Sequence, residues 1–296
     1  MRAIPNDFEQ SILDHNRSLA PQNGTAFHEA EDLQAFLSTP PDLYVPGPLV
    51  VARLCSLEAV ATISGAFGVG KNGAKEAAVA QAEMPHPRHN VSPIHPVRSG
   101  TTRLPEFRDG RVEDDENYSF AFAYVPNRHL AQMLRERTLV QFAQPRGDHV
   151  YYTALEDFPE SGIALLDTVP STLHHLNRIL QSSGKQAIGM HRTVDSYDEW
   201  MARIKGRGDI FDSYGKPIDM ENYNKRMREA RSSLEEAMDL RAELGIKFFA
   251  AEERPEAGKA VIDILTGYHT EEAQKRGELG AIAMIRGLED AGFKAA

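Results

Sequence analysis

The chain has one cysteine and one tryptophan in 296 residues. A lone thiol, Cys55, excludes an internal disulfide and with it the small cross-linked secreted scaffold; a reducing compartment fits best. Within VVARLCSLEAVATI its expected role is that of a small core hydrophobe. Long apolar runs are missing too. Nothing approaches the ~20 residues of a membrane span, and the stretch MRAIPNDFEQSILDHN lacks the apolar core and cleavage site of a secretory leader. The expectation is a cytoplasmic, non-membrane protein. Basic residues are also in short supply, with 33 Lys and Arg against 43 Asp and Glu and a formal net charge of -10. That balance argues against extensive nucleic-acid contact, while leaving room for a local basic pocket.

What is present is the composition of a folded globular protein, 41% hydrophobic and 26% charged. The length allows two ordinary domains or one large one. Four prolines in STPPDLYVPGPL should stop any regular element there, after a short helical candidate around residues 27–37. AVATIS reads as a strand over 59–64. GAFGVGKNGAKEAAVAQAEM follows, a glycine-rich turn leading into alanine-rich, helix-favouring sequence. Residues 85–117 read as a polar loop in which NVSPI makes a short strand. Further strands are expected over 118–125, 138–144, 149–152, 163–167 and 186–191, and helices over 128–137, 170–181 and 195–205. Apolar residues from Asn222 to Leu244 recur at a 3.6-residue period, predicting one long amphipathic helix. GIKFFAA then reads as a last core strand, EAGKAVIDILTG as the helix after it, and the tail as helical. Alternating strands and helices predict an α/β fold with a mostly parallel sheet and an antiparallel insertion near the paired short strands.

The sequence order strand, glycine loop, helix is the one a phosphate-binding loop requires. Gly65, Gly68, Gly70 and Lys71 keep the spacing that lets backbone N–H groups converge on phosphate oxygens, with Asn72 and Gly73 opening the helix. Asn72 stands where that pattern has Ser or Thr. Two arginine-bearing stretches supply positive charge: HPVRSGTTRLPEFRDGR, with Arg98, Arg103 and Arg108, and DEWMARIKGRGD with NYNKRMREAR, with Arg203, Arg207 and Arg226. Glycines at 206 and 208 fit a hinged lid, a surface hairpin being the plainer alternative. Asp167 ends the apolar strand IALLD, where open α/β sheets place ligand contacts, although it could also cap the next helix. Tyr118, Tyr151 and Tyr152 are anion donors or simple packing groups. The histidines show no compact metal spacing.

From about Val60 to Leu265 the chain resembles the guanylate kinase family, on ISGAFGVGKN, NVSPIHPVR with SGTTR, ENYSFAF, LVQFAQPRGDHVYYT, IALLD, EWMARIKGRGD, YNKRMREA and GIKFFAAEERPEAGKAVIDIL in that order. The resemblance implies a P-loop kinase three-layer fold over 59–265, an N-terminal extension over 1–58 and a C-terminal helical one over 266–296. It implies an ATP-dependent phosphotransferase using Mg2+ and a small-molecule nucleotide acceptor, with an acceptor region about 92–160 and a lid about 203–225. Gly65, Gly68, Gly70, Lys71, Asn72 and Gly73 would hold ATP. Lys71, Arg203, Arg207 and Arg226 would serve transfer. Ser92, Arg98 or Arg103, Tyr118, Gln141, Tyr152 and Asp167 would hold the acceptor, and Asn72 and Asp167 would face the metal. The chain departs from the family at Asn72, at Gln141 in place of a base-reading glutamate, and at Ala251 in place of an asparagine. Those departures keep two alternatives in view: a guanylate-kinase-like binding or scaffolding domain without catalysis, and a kinase of a modified base or a non-nucleotide small molecule.

Overall fold

The computed structural model of the protein describes residues 44–84, 91–101, 107–108, 111–112, 122–124, 127–143, 150–206, 210–211 and 215–293. Five parallel strands form the main sheet: β1 (Ala59–Ser64), β2 (Ile94–Pro96), β9 (Ile163–Asp167), β10 (Ile188–Thr193) and β11 (Lys247–Ala250). Their order across the sheet is β11-β10-β1-β9-β2, with the first strand at the centre. Sequence neighbours therefore run to opposite sides of β1, the topology in which open α/β sheets place ligands beyond the carboxyl ends of the strands.

Alternation along the strands decides which helices cover which face. Ala61 and Ile63 of β1, Leu165 of β9 and Phe249 of β11 pack with the helices α2 (Lys71–Ala82) and α7 (Arg254–Leu265). Val60, Ala164, Leu166 and Phe248 face the other way. They meet α1 (Pro48–Ser56), α4 (Thr172–Leu180), α5 (Tyr197–Lys205), α6 (Met220–Leu244) and α8 (Glu271–Asp290). The result is a helix, sheet, helix sandwich, as alternating strand and helix patterns require. The first and last of these helices, α1 and α8, bury Val50, Leu54, Ala281, Met284 and Leu288 in the same core.

Several helix starts are written in short polar residues. The Ser196 Oγ accepts from the Glu199 N–H at 3.1 Å, Asp219 from the Asn222 N–H at 3.1 Å, and Thr270 from the Ala273 N–H at 3.2 Å. Pro48 corrects the expectation that its proline cluster stops every element: it starts α1 at a position where a missing N–H costs nothing. Cys55 on that helix is half-buried rather than in the core.

A second, smaller sheet carries the insertion. Its strands are β3 (Ser99–Thr101), β6 (Phe122–Tyr124), β7 (Leu139–Ala143) and β8 (Tyr151–Ala154), in the order β6-β3-β8-β7. β8 is antiparallel to both of its neighbours, as expected for this stretch. Helix α3 (Asn127–Glu136) covers it through Leu130 and Met133. A two-stranded ribbon of β4 (Phe107–Arg108) and β5 (Arg111–Val112) adds strands, beyond the one expected at NVSPI, to the segment that reads as a polar loop. The helix of 27–37 and most of the strand of 118–125 lie outside the described residues.

The contact of α2 with α7 fixes where the glycine loop ends, and it depends on Gly258. A Cβ there would lie 2.6 Å from the backbone carbon of Ala77. Elsewhere in a helix, alanine would be the more stable choice by up to ~1 kcal/mol. Here Gly258→Ala is expected to destabilise the protein by about 1–3 kcal/mol through forced separation of the helices. A urea midpoint that is unchanged or raised in the variant would contradict this close approach.

Candidate functional site

Between β1 and α2 the chain must reverse direction in six residues, and three glycines make that possible. Gly65, Gly68 and Gly70 have φ of 144°, 78° and 90°, values costly for any side chain with a Cβ. The carbonyls of this loop are held one after another. Lys71 Nζ donates to the Gly65 oxygen at 2.7 Å and to the Ala66 oxygen at 3.3 Å. Trp200 Nε1 donates to the Phe67 oxygen at 2.7 Å, Arg203 to the Val69 oxygen at 3.4 Å, and Arg192 to the Gly70 oxygen at 2.6 Å. The N–H groups of Gly68, Val69, Gly70, Lys71, Asn72 and Gly73 make no backbone hydrogen bond among the described residues. The loop thus turns its acceptors toward protein donors and keeps a row of donors at the positive end of α2, the arrangement that attracts an anion.

Cations from distant elements surround the loop. Arg192 of β10 is 2% exposed, and its guanidinium also reaches the Ala251 oxygen at 3.3 Å. Burial, reinforced by Arg203, lowers its pKa to about 10, still charged at neutral pH. Arg203 of α5 pairs with Glu199 at 2.5 Å and donates to the Ala251 and Glu252 oxygens. Arg226, buried near the start of α6, donates to Asn222 and lies 5.8 Å over the Phe67 ring. Lys71, Arg203 and Arg226 therefore meet at one loop. Arg207 lies outside the described residues.

Lys75, one turn beyond Lys71, is 1% exposed. Burial pulls its pKa down, Asp167 pulls it up, and Lys71 pulls it down again. Asp167 ends β9 beside β1, at the carboxyl edge where the loop begins. A Mg2+ ion implied by the family resemblance would look here for oxygen ligands. Among the described residues no cluster of three or more His, Cys, Asp or Glu is present. Mg2+ takes one or two carboxylates beside phosphate oxygens and waters, so Asp167, with the Asn72 amide, would be the side chains to meet it here.

Behind the loop, His191 is fully buried and tilted against Phe248. Its Nδ1 lies 2.9 Å from Ser64 Oγ, which also reaches the Met190 oxygen at 3.1 Å. One hydroxyl proton cannot serve both; donation to Met190 makes the ring nitrogen the donor to Ser64. Burial and then Lys71 push the imidazole down to about 3, so it stays neutral and is no proton shuttle at ordinary pH.

The small sheet and its approaches hold the residues expected at the acceptor. Arg98, between β2 and β3, faces Asp157 at 3.8 Å. Tyr152 is buried in the apolar cluster of the small sheet with its ring on Gly100, where a Cβ would sit 2.1 Å from the ring carbon. Its phenol is pushed upward by burial and then by Asp157 and Glu156. Gln141 and Thr153 pair across β7 and β8, and their Oε1 and Oγ1 are both buried without a hydrogen-bond partner among the described residues. Ser92 is placed elsewhere: it bonds Glu58, ahead of β1 and β2, at the amino edge of the sheet. Past the carboxyl end of β2 stands Ser99 instead, buried at the start of β3. Arg103 and Tyr118 lie outside the described residues.

Arg192 and Lys75 near the loop and Asp157 and Thr153 near the small sheet are candidate residues that sequence reasoning passes over. Arg192 and Lys75 had one available signal, a cation inside an otherwise apolar or alanine-rich stretch. Thr153 and Asp157 had none, because their roles come from pairing across strands and from burial under Arg98.

Asp157 gives the site a measurable pH signature. Burial holds its carboxyl at about 6 instead of 3.8, against the opposing pull of the Ala154 backbone and Arg98. The folded state keeps the proton longer than the unfolded chain, so stability falls as pH rises from about 4 to about 6. Asp157→Asn is expected to remove that slope and gain about 2 kcal/mol relative to the parent at neutral pH. Parallel urea curves for the two proteins across this window would sink the assignment.

No family model matches the chain, and no curated protein matches it. Among solved structures, guanylate kinase from Anaplasma phagocytophilum is similar at 11% identity and a TM-score of 0.44, over 74% of this chain and 90% of that one.

Proposed function

We propose that this protein is an ATP-dependent phosphotransferase whose acceptor is a nucleoside monophosphate or a related phosphorylated molecule. The observation that carries the reading is the loop from Gly65 to Gly73, with its carbonyls tied to Lys71, Trp200, Arg203 and Arg192 and its N–H groups left for an anion. A polyphosphate is the ligand such a row of donors suits, and the cations around it match the charge that builds up on a transferring phosphoryl group.

In this reading Lys71 leaves the Gly65 carbonyl to meet the terminal phosphates, and Arg226 and Arg203 balance charge from the other side of the loop. An oxygen of the acceptor phosphate attacks the γ-phosphorus while the bond to the β–γ bridging oxygen breaks and ADP leaves. No separate base is needed, since the acceptor phosphate is already ionised. Arg98, just before β3 of the small sheet, is the described one of the two arginines proposed to hold that phosphate. The unpartnered Gln141 Oε1 and Thr153 Oγ1 favour an acceptor that offers an N–H or O–H donor, because a buried lone pair without one is costly.

A second reading, a binding domain of the same shape without transfer, is favoured by Asn72 in place of a hydroxyl. Turnover separates the two. Purified protein with ATP and a panel of nucleoside monophosphates is expected to yield a phosphorylated acceptor, and Lys71→Ala to lower the rate by about a hundredfold or more. Phosphopeptide binding with no ATP binding would support the binding domain, and an unaffected Lys71→Ala rate would remove the loop from the mechanism.

A further inference from the structure

We propose that the C-terminal helix α8 sets the shape of the glycine loop through α5, with Arg276 as the positioning residue. The inference rests on the reading of the loop as a triphosphate site and deepens it. Its starting point is the peptide plane. A carbonyl and the N–H that follows it belong to one planar trans unit and point opposite ways. A donor that holds the Phe67 oxygen therefore aims the Gly68 N–H, and one that holds the Val69 oxygen aims the Gly70 N–H. Both donors come from α5: Trp200 Nε1 at 2.7 Å and Arg203 at 3.4 Å. Where α5 stands decides where those two N–H groups point.

α8 reaches both donors, each by its own route. The first route is ionic. Arg276 grips both carboxylate oxygens of Asp195, with Nε 2.8 Å from Oδ1, the bidentate geometry that fixes direction as well as distance. The Asp195 N–H donates to Glu199 at 3.2 Å, Glu199 pairs with Arg203 at 2.5 Å, and Arg203 donates to the Val69 oxygen. Arg276 also lies 3.8 Å from the Glu252 carboxylate, and the Glu252 carbonyl accepts from Arg203 at 2.9 Å. The second route is steric. Gly287 lies so close to Tyr197 that a Cβ would be 2.1 Å from the ring, and Tyr197 meets Trp200 edge-on at 5.8 Å. Nearer Arg276, a Cβ at Gly280 would be 2.2 Å from the Val194 oxygen, so α8 lies flush against the turn that leads from β10 into α5. An exposed ion pair contributes little to stability by itself. The effect of this one is to be read at the loop and not in the folding equilibrium.

Calorimetric titration of the full chain with ATP and Mg2+, beside urea unfolding of each variant, tests this. Arg276→Met is expected to weaken ATP binding about three- to tenfold. The control is Arg241→Met, which cuts a second ion pair to α8, from α6 to Glu278 at 3.0 Å, and is expected to leave ATP affinity within about twofold. In a Glu199→Gln background Arg276→Met is expected to add less than about twofold, because the ionic route is already cut. Asp195→Asn carries the same expectations as Arg276→Met and stands in for it if that variant does not fold. Unchanged affinity in Arg276→Met, an equal loss in Arg241→Met, an undiminished loss in the Glu199→Gln background, or failure of both Arg276→Met and Asp195→Asn to fold overturns the proposal and leaves the loop reading standing. Absence of ATP binding by the parent protein overturns the loop reading as well.

Discussion

The backbone of the Gly65–Gly70 turn cannot satisfy itself. A chain that leaves a strand and enters a helix in so few residues has no neighbouring strand to take its carbonyls and no preceding turn to take the helix's first N–H groups. Its carbonyls find donors on β10, α5 and the first residue of α2. Parts of the chain more than a hundred residues away are thus needed to hold one loop open. The N–H groups on the other side make no backbone hydrogen bond among the described residues, and this division between inner acceptors and outer donors is the constraint from which the rest of the candidate site follows.

Arginine and tryptophan are well suited to the inner role. The Trp200 indole donates one hydrogen bond while its ring packs edge-on to Phe67 at 5.5 Å, so the same side chain both anchors the loop and closes the core beneath it. Arg192 spans from Gly70 to Ala251 and so ties the loop to the end of β11. Its Nε has no partner among the described residues, a cost that an apolar residue at this place would avoid. Its two terminal nitrogens meet the Gly70 and Ala251 carbonyls, which an apolar residue would leave unpaired. Gly68 completes the fit from outside, since a Cβ there would press on Ile204 at 3.1 Å.

The order of elements was legible because period and composition reported it directly. Strands over 59–64 and 163–167, a helix after the glycine turn and the long helix to Leu244 all follow from local pattern, and their parallel assembly follows from alternation. The family resemblance groups Lys71, Arg203, Arg207 and Arg226; Arg207 lies outside the described residues, and the other three lie against the loop. Register was not legible. Gln141 opposes Thr153 only because β7 and β8 are antiparallel with an irregularity between Leu139 and Gln141, and no single strand records that. Ser92 and Ser99 illustrate the same limit: both stand near β2, and only the direction of the strand shows that one lies at the amino edge and the other past the carboxyl end. Arg192 was hidden because a strand that reads IGMHRT looks like core until its neighbours show what its charged residue reaches.

Charge ties the parts together. The protein is acidic as a whole, yet buried or half-buried cations gather at the loop. A net negative charge weighs against polyanions at long range, within limits set by salt. On the proposed reading a compact polyphosphate at the carboxyl edge of the sheet would meet the opposite field at short range, in a setting drier than the surface and therefore stronger per charge. Preference for a small anion would then need no separate gate, because the cations stand behind a loop whose carbonyls are already taken.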